Sequence, residues 1–98
     1  MESQFLPGVR AMHIIARPKF KGFVKQHPRA STWLENWWRV ANTSRWESLG
    51  DVRRLFASAD QVGGCLVFNA LGNNFRLIVG VKYADDVQHG TLWIKHFF

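Results

Sequence analysis

Cys65-Leu66-Val67-Phe68-Asn69-Ala70-Leu71-Gly72-Asn73-Asn74-Phe75-Arg76-Leu77-Ile78-Val79-Gly80-Val81-Lys82-Tyr83 is the stretch on which the fold turns. Residues 65–70 are a short apolar run, residues 71–74 supply the Gly and Asn of a turn, and residues 75–83 alternate between two faces. The pattern predicts a β-hairpin. Phe75, Leu77, Val79, Val81 and Tyr83 share one side of its second strand; Arg76, Ile78, Gly80 and Lys82 share the other. Residues 84–90, with Asp85, Asp86 and Gly90, form the next turn, and residues 91–98 a last strand. Strands joined by short turns pair antiparallel.

Upstream of Gly63-Gly64 the period changes from two to that of a helix. Residues 12–16 are a short apolar run, read as a strand, and Arg17-Pro18 starts a helix because proline suits a first helical position. In residues 18–27, Phe20, Phe23, Val24 and His27 fall on one face while Lys19, Lys21 and Lys25 occupy others. Pro28 opens a second helix whose Ala30, Trp33, Leu34, Trp37, Trp38 and Ala41 make a continuous apolar stripe, with Glu35 and Arg39 expected to pair on the wet side. Residues 46–56 read as a loop with one or two turns of helix, carrying Leu49, Val52, Leu55 and Phe56 inward. The expected architecture is α+β, with the two N-terminal helices packed on one face of a small antiparallel sheet in the order β-α-α-β-β-β. Residues 1–11 have neither period and are expected to form an extension outside the fold, leaving residues 12–98 as a single domain.

Composition narrows the classes. A chain of 98 residues that is 47% hydrophobic, with five Trp and eight Phe, has the apolar surface for one core and is not a disordered polymer. Its single cysteine, Cys65, excludes an internal disulfide and a cysteine-cage zinc site and fits a reducing compartment, so a cytoplasmic protein is expected. No apolar run approaches the ~18 residues that cross a bilayer, so no membrane association is expected. The formal charge of +6 is concentrated in residues 17–54, where nine basic residues face three acidic ones, whereas residues 55–98 are balanced. A one-sided positive field suits a polyanionic partner, nucleic acid above all. An acidic protein segment would read the same field, and charge kept for solubility is the plainest alternative. A small DNA-binding protein is disfavoured, because the helix over residues 28–41 offers mainly Arg29 and Arg39 outside its apolar stripe.

Most routes to an enzyme are closed by what is missing: the sequence has no glycine-rich phosphate loop, Ser-His-Asp layout, EF-hand or metal-ligand spacing among His13, His27, His89 and His96. No metal and no cofactor is therefore expected. What remains is the polar side of the sheet. If the last strand pairs with residues 75–83 so that Lys82 opposes Leu92, then Ile78 opposes His96, Arg76 opposes Phe98, and Arg76 and His96 share a face. An arginine beside a histidine is a minimal kit for RNA cleavage. The 2′-hydroxyl attacks its own phosphate, His moves a proton near neutral pH, and Arg stabilises the charge on the phosphorane. The competing reading leaves both side chains on a solvated sheet face.

The run Phe68-Asn69-Ala70-Leu71-Gly72-Asn73-Asn74-Phe75-Arg76-Leu77-Ile78-Val79, followed by Ile94-Lys95-His96, resembles the HigB-type toxins of type II toxin-antitoxin systems, within the RelE-like superfamily of mRNA interferases. Met12-His13-Ile14-Ile15, Trp46, Asp51-Val52-Arg53 and Ala57-Ser58-Ala59-Asp60 are similar to that family in the same order. The resemblance implies a RelE-like toxin that cleaves translated mRNA in the ribosomal A site and is held inactive by a HigA-like helix-turn-helix antitoxin. It matches Arg76 to the strand arginine at the scissile phosphate and Lys95-His96 to the basic pair on the last strand. Arg53, Arg54 and Lys82 are assigned to RNA or ribosome backbone contact on their basic character, and Asn73 to the turn. Family members usually continue with a Thr-His-x-Glu-Tyr-Asp segment, whereas this sequence stops at Phe98, so an incomplete centre with impaired activity is expected. Phe97-Phe98 is then expected to form a sticky edge that favours self-association. The alternative on this reading is a catalytically inactive module that binds RNA, ribosome or antitoxin.

Overall fold

The computed structural model describes residues 11–98, so nearly all of the expected extension lies outside the described residues. The described chain runs β1 (His13–Ile15), α1 (Arg17–Gln26), a 3-10 turn (Pro28–Ala30), α2 (Ser31–Asn42), α3 (Leu49–Leu55), β2 (Asp60–Val62), β3 (Cys65–Ala70), β4 (Phe75–Lys82) and β5 (Thr91–Phe97). The expected α+β order is present, and the one or two helical turns read within residues 46–56 are α3. One element is added: a short strand, β2, precedes the hairpin.

The five strands lie in the order β1-β5-β4-β3-β2. The hairpin β3–β4 is in the register its turn dictates, with Ala70 opposite Phe75 and Asn69 opposite Arg76. Two glycines serve tight turns at positive φ, Gly63 at 58° between β2 and β3 and Gly72 at 70° between β3 and β4, where a side chain would be strained. The sheet is mixed, which corrects the antiparallel expectation: β1 pairs parallel with β5, His13 opposite Thr91 and Ile15 opposite Trp93. A parallel pair needs a long crossover, and here everything from α1 to β4 supplies it.

One face of the sheet is covered. Leu66, Phe68 and Ala70 of β3, Leu77 and Val79 of β4, and Leu92, Ile94 and Phe97 of β5 are buried beneath Phe20 of α1, Leu34, Trp37 and Ala41 of α2 and Val52 of α3. Aromatic rings knit these layers together: Trp37 meets Phe68 edge-on at 5.4 Å and stacks on Phe20 at 5.7 Å, while Phe56 meets Phe68 edge-on at 5.2 Å. Of the apolar stripe of α2, Leu34, Trp37 and Ala41 are buried and Trp33 and Trp38 half-buried, and Arg39 donates to Asn36 Oδ1 at 2.5 Å instead of pairing with Glu35. Leu55, expected inside, is 55% exposed because α3 ends there and Phe56 takes the inward place. Ser48 caps α3 by accepting from Asp51 N–H at 3.3 Å, and Asp51 reaches back to accept from Glu47 N–H at 3.0 Å. Phe97 is not part of a sticky edge: it is buried, stacked on Phe75 at 5.1 Å with the rings 8° apart, and only Phe98 of the pair is exposed. Among the described residues no helix is long and apolar enough to cross a membrane.

Candidate active site on the open sheet face

Among the described residues, no helix lies over the second face of the sheet. β4 alternates strictly, so burying Leu77 and Val79 sends Arg76, Ile78, Gly80 and Lys82 to the open side. Strand β3 places Cys65, Val67 and Asn69 there, β2 places Asp60 and Val62, and β1 contributes His13 and Ile15.

β5 does not alternate strictly. Ile78 lies opposite His96, as the sequence suggests, but Val79 lies opposite Ile94, so Lys95 is an extra residue at a bulge. Below the bulge Leu77 faces Phe97, and Arg76 and Phe98 exchange backbone hydrogen bonds at 2.7 and 3.1 Å. Above it every partner moves by one, and Lys82 lies opposite Thr91, not Leu92. The inserted residue has a chemical consequence. Period-two alternation from Leu92 and Ile94 would leave His96 facing the core and Phe97 outside; with the bulge both Lys95 and His96 are exposed, while Phe97 returns to the buried side.

Arg76 and His96 are thus diagonal neighbours on the open face, a relation that sets side chains about 7–8 Å apart at their roots. Lys95 joins them. Its stem crosses the bare backbone of Gly80, where an added Cβ would stand 3.0 Å from Lys95 Cε and 3.4 Å from Trp93 Cε3. The Arg76 guanidinium is steered from the other side, its Nε donating to Asn69 Oδ1 at 3.2 Å across the β3–β4 ladder. Beside it a shallow hollow of about 220 Å³ is lined by Ser58, Asp60, Val62, Val67, Asn69 and Arg76.

The remaining cations assigned from the sequence sit apart from that trio. Arg53 ties the end of α3 to β2, its Nε donating to the Ala59 carbonyl at 2.8 Å and its Nη2 lying 3.4 Å from Asp60. Arg54 is 81% exposed and pairs loosely with Asp51 at 3.4 Å. Lys82 is on the open face but donates to Gln88 Oε1 in the β4–β5 loop. Asn74, rather than Asn73, bonds the turn, its side chain donating to the Leu71 carbonyl at 2.9 Å. Two ionisable groups near the sheet ends are perturbed. Burial, and then the Asp51 charge, pushes Tyr83 up, and its hydroxyl donates to Gln61 Oε1 at 2.7 Å. Asp85 is held below the ordinary carboxylate range by the backbone N–H groups of Gln88 and Val87. Neither touches Arg76 or His96.

Sequence reasoning gave no role to Asn69 or Trp93. Asn69 was within reach of it, because a hairpin closed by residues 71–74 puts Asn69 opposite Arg76. Trp93, 38% exposed, follows from burial of Leu92 and Ile94 on either side.

Helices on one face of a twisted sheet and an open basic second face give a RelE-like α+β arrangement. A family model described as HigB_toxin, RelE-like toxic component of a toxin-antitoxin system, matches residues 30–98, which span α2 to β5. The chain belongs to this family of toxins, and a toxin of such a system implies an antitoxin partner. No curated protein matches the chain.

Proposed function

We propose that this toxin is an endoribonuclease, an mRNA interferase that cleaves translated mRNA on the ribosome in the cytoplasm, using side chains alone and no metal or cofactor. The observation that carries the reading is that Arg76, His96 and Lys95 are all exposed on one face of the sheet, with Arg76 and His96 diagonal neighbours across the β4–β5 ladder. A phosphodiester laid across the β4–β5 ladder would meet a guanidinium held by Asn69 and an imidazole, with the Lys95 ammonium farther along the strand. His96 would take the proton of the 2′-hydroxyl, or return one to the departing 5′-oxygen. The O2′–P bond forms as the P–O5′ bond breaks, leaving a 2′,3′-cyclic phosphate and a 5′-hydroxyl. Arg76 and Lys95 would neutralise the charge that gathers on the non-bridging oxygens, where preorganised donors act most strongly. Arg53, Arg54 and Lys82 are then flanking contacts to RNA or ribosome backbone. Of these, Arg53 has the least freedom for the task, being engaged with Ala59 and Asp60.

The test is mRNA cleavage on programmed ribosomes by the wild type, Arg76→Ala and His96→Ala, with cleavage sites mapped at nucleotide resolution. We expect loss of cleavage in the first variant by about 10²–10³-fold, the size of a removed transition-state donor, and a pH profile altered by the second. Undiminished cleavage in both variants overturns the assignment. Ribosome or antitoxin binding with no cleavage by the wild type would favour the inactive binding module instead.

A further inference from the structure

The open sheet face leaves most of the charge unexplained. Arg17, Lys19, Lys21 and Lys25 all lie on α1, a helix with no acidic residue, and α1 packs in the layer opposite the candidate active site. Between α1 and α2 runs a groove of about 380 Å³. Its floor is Phe20, Val24 and Trp38; its rim is Arg17, Lys21 and Lys25, against the single carboxylate of Glu35. Those three cations are spaced i, i+4, i+8, so they form one ridge with steps of about 6 Å.

We propose that this groove is the docking site for an acidic amphipathic helix of the antitoxin. The inference rests on the chain being a toxin of a toxin-antitoxin system, not on its being a nuclease. A helix carrying Asp or Glu at i, i+4 and i+8 reproduces the spacing of the ridge, and apolar residues beside them enter the floor as a third helix packs against two. RNA fits the groove less well. Single strands are held by stacking bases on open aromatic faces, and the one exposed aromatic face here, that of Trp38, is already capped by the Arg17 guanidinium 4.3 Å from the ring centroid. That contact also fixes one of the three charges before a partner arrives. An antitoxin helix seated here leaves Arg76, His96 and Lys95 uncovered on the far side.

The full chain is titrated with a designed helical peptide bearing Glu at i, i+4 and i+8 with Leu between them, with a scrambled peptide of the same composition, and with a single-stranded RNA oligonucleotide. Binding is read by Trp fluorescence and by amide chemical shifts. The ordered peptide should shift Phe20, Val24 and Trp38 and bind at least about tenfold more tightly than the scrambled one. Lys21→Glu with Lys25→Glu should weaken it about tenfold or more while leaving RNA cleavage unchanged, and a peptide with Lys in place of Glu should restore binding to that variant. Lys21→Gln with Lys25→Gln, a milder change at two exposed positions, should give an intermediate loss with the wild-type circular dichroism. Equal binding of the scrambled peptide overturns the proposal, as does RNA that shifts the same groove residues and is weakened equally by the charge reversal. A dimer of this chain that buries the groove overturns it too. Absence of cleavage in every sample would count against the nuclease reading and leave this one standing.

Discussion

The two sides of this molecule are both basic, yet they are assembled in opposite ways. On the helical side the cations are neighbours in sequence, spaced by helical periodicity beside an aromatic layer in which Phe20 and Trp37 are buried. On the sheet side Arg76, Lys95 and His96 come from two strands, and one of the three is turned outward only by an extra residue. The helical side combines charge with burial, so it supplies most of the stability. The sheet side gives up burial, leaving Trp93, Ile15 and Val62 partly exposed around its charged groups. Stability and chemistry are therefore expected to respond to different substitutions.

The largest separation is expected from Trp37→Ala. Trp37 is fully buried between Phe20 and Phe68, and emptying its site should cost about 3–5 kcal/mol in urea unfolding. A loss below about 1 kcal/mol would mean that the helical layer is not the stabilising half. Arg76→Ala should do the reverse, removing cleavage while the thermal midpoint stays close to wild type, because the side chain is exposed and, among the described residues, its one side-chain bond is to Asn69. Gly80→Ala sharpens the contrast further. The new Cβ meets the flexible end of Lys95 before it meets backbone, so folding should survive while cleavage falls severalfold as Lys95 and Trp93 are displaced; a melt and a single-turnover assay on one preparation separate the two effects. The smallest effect is expected at Asp85, whose carboxylate accepts from Val87 and Gln88 N–H at 2.8 and 2.7 Å. Its pKa is lowered in the folded chain, so its contribution is present above the unfolded carboxylate pKa and is lost as pH falls through the lower folded value. Asp85→Ala should lower the midpoint slightly at neutral pH, and the difference should fade in strongly acid solution.

What was legible in the sequence follows the same division. The hairpin and the α2 stripe could be read because each buries one face, and burial on one face writes a period into the chain. β2 could not, since all three of its residues are exposed and leave no alternation. Nor could the parallel pairing of β1 with β5, because contacts between residues 13–15 and 91–93 have no local trace. At the candidate site, the opposition of Ile78 and His96 was accessible from strand alternation, whereas the bulge was not. A bulge is a choice of backbone register, and Ile94-Lys95-His96-Phe97 reads equally well as a regular strand with a buried charge. The charge density of α1 was visible from the outset, but only the packing of α1 on α2 shows that it borders an apolar groove on the side away from Arg76.

The placement of β5 between β1 and β4 has a consequence for synthesis. Until residues 91–97 emerge from the exit tunnel, β1 has no strand to join, the hairpin has one bare edge, and the hydrophobic layer lacks Leu92, Ile94 and Phe97. Helices made of local contacts can form early, but this sheet closes on its most distant pairing. The charged face that β5 brings to the sheet therefore exists only once that strand is seated between β1 and β4.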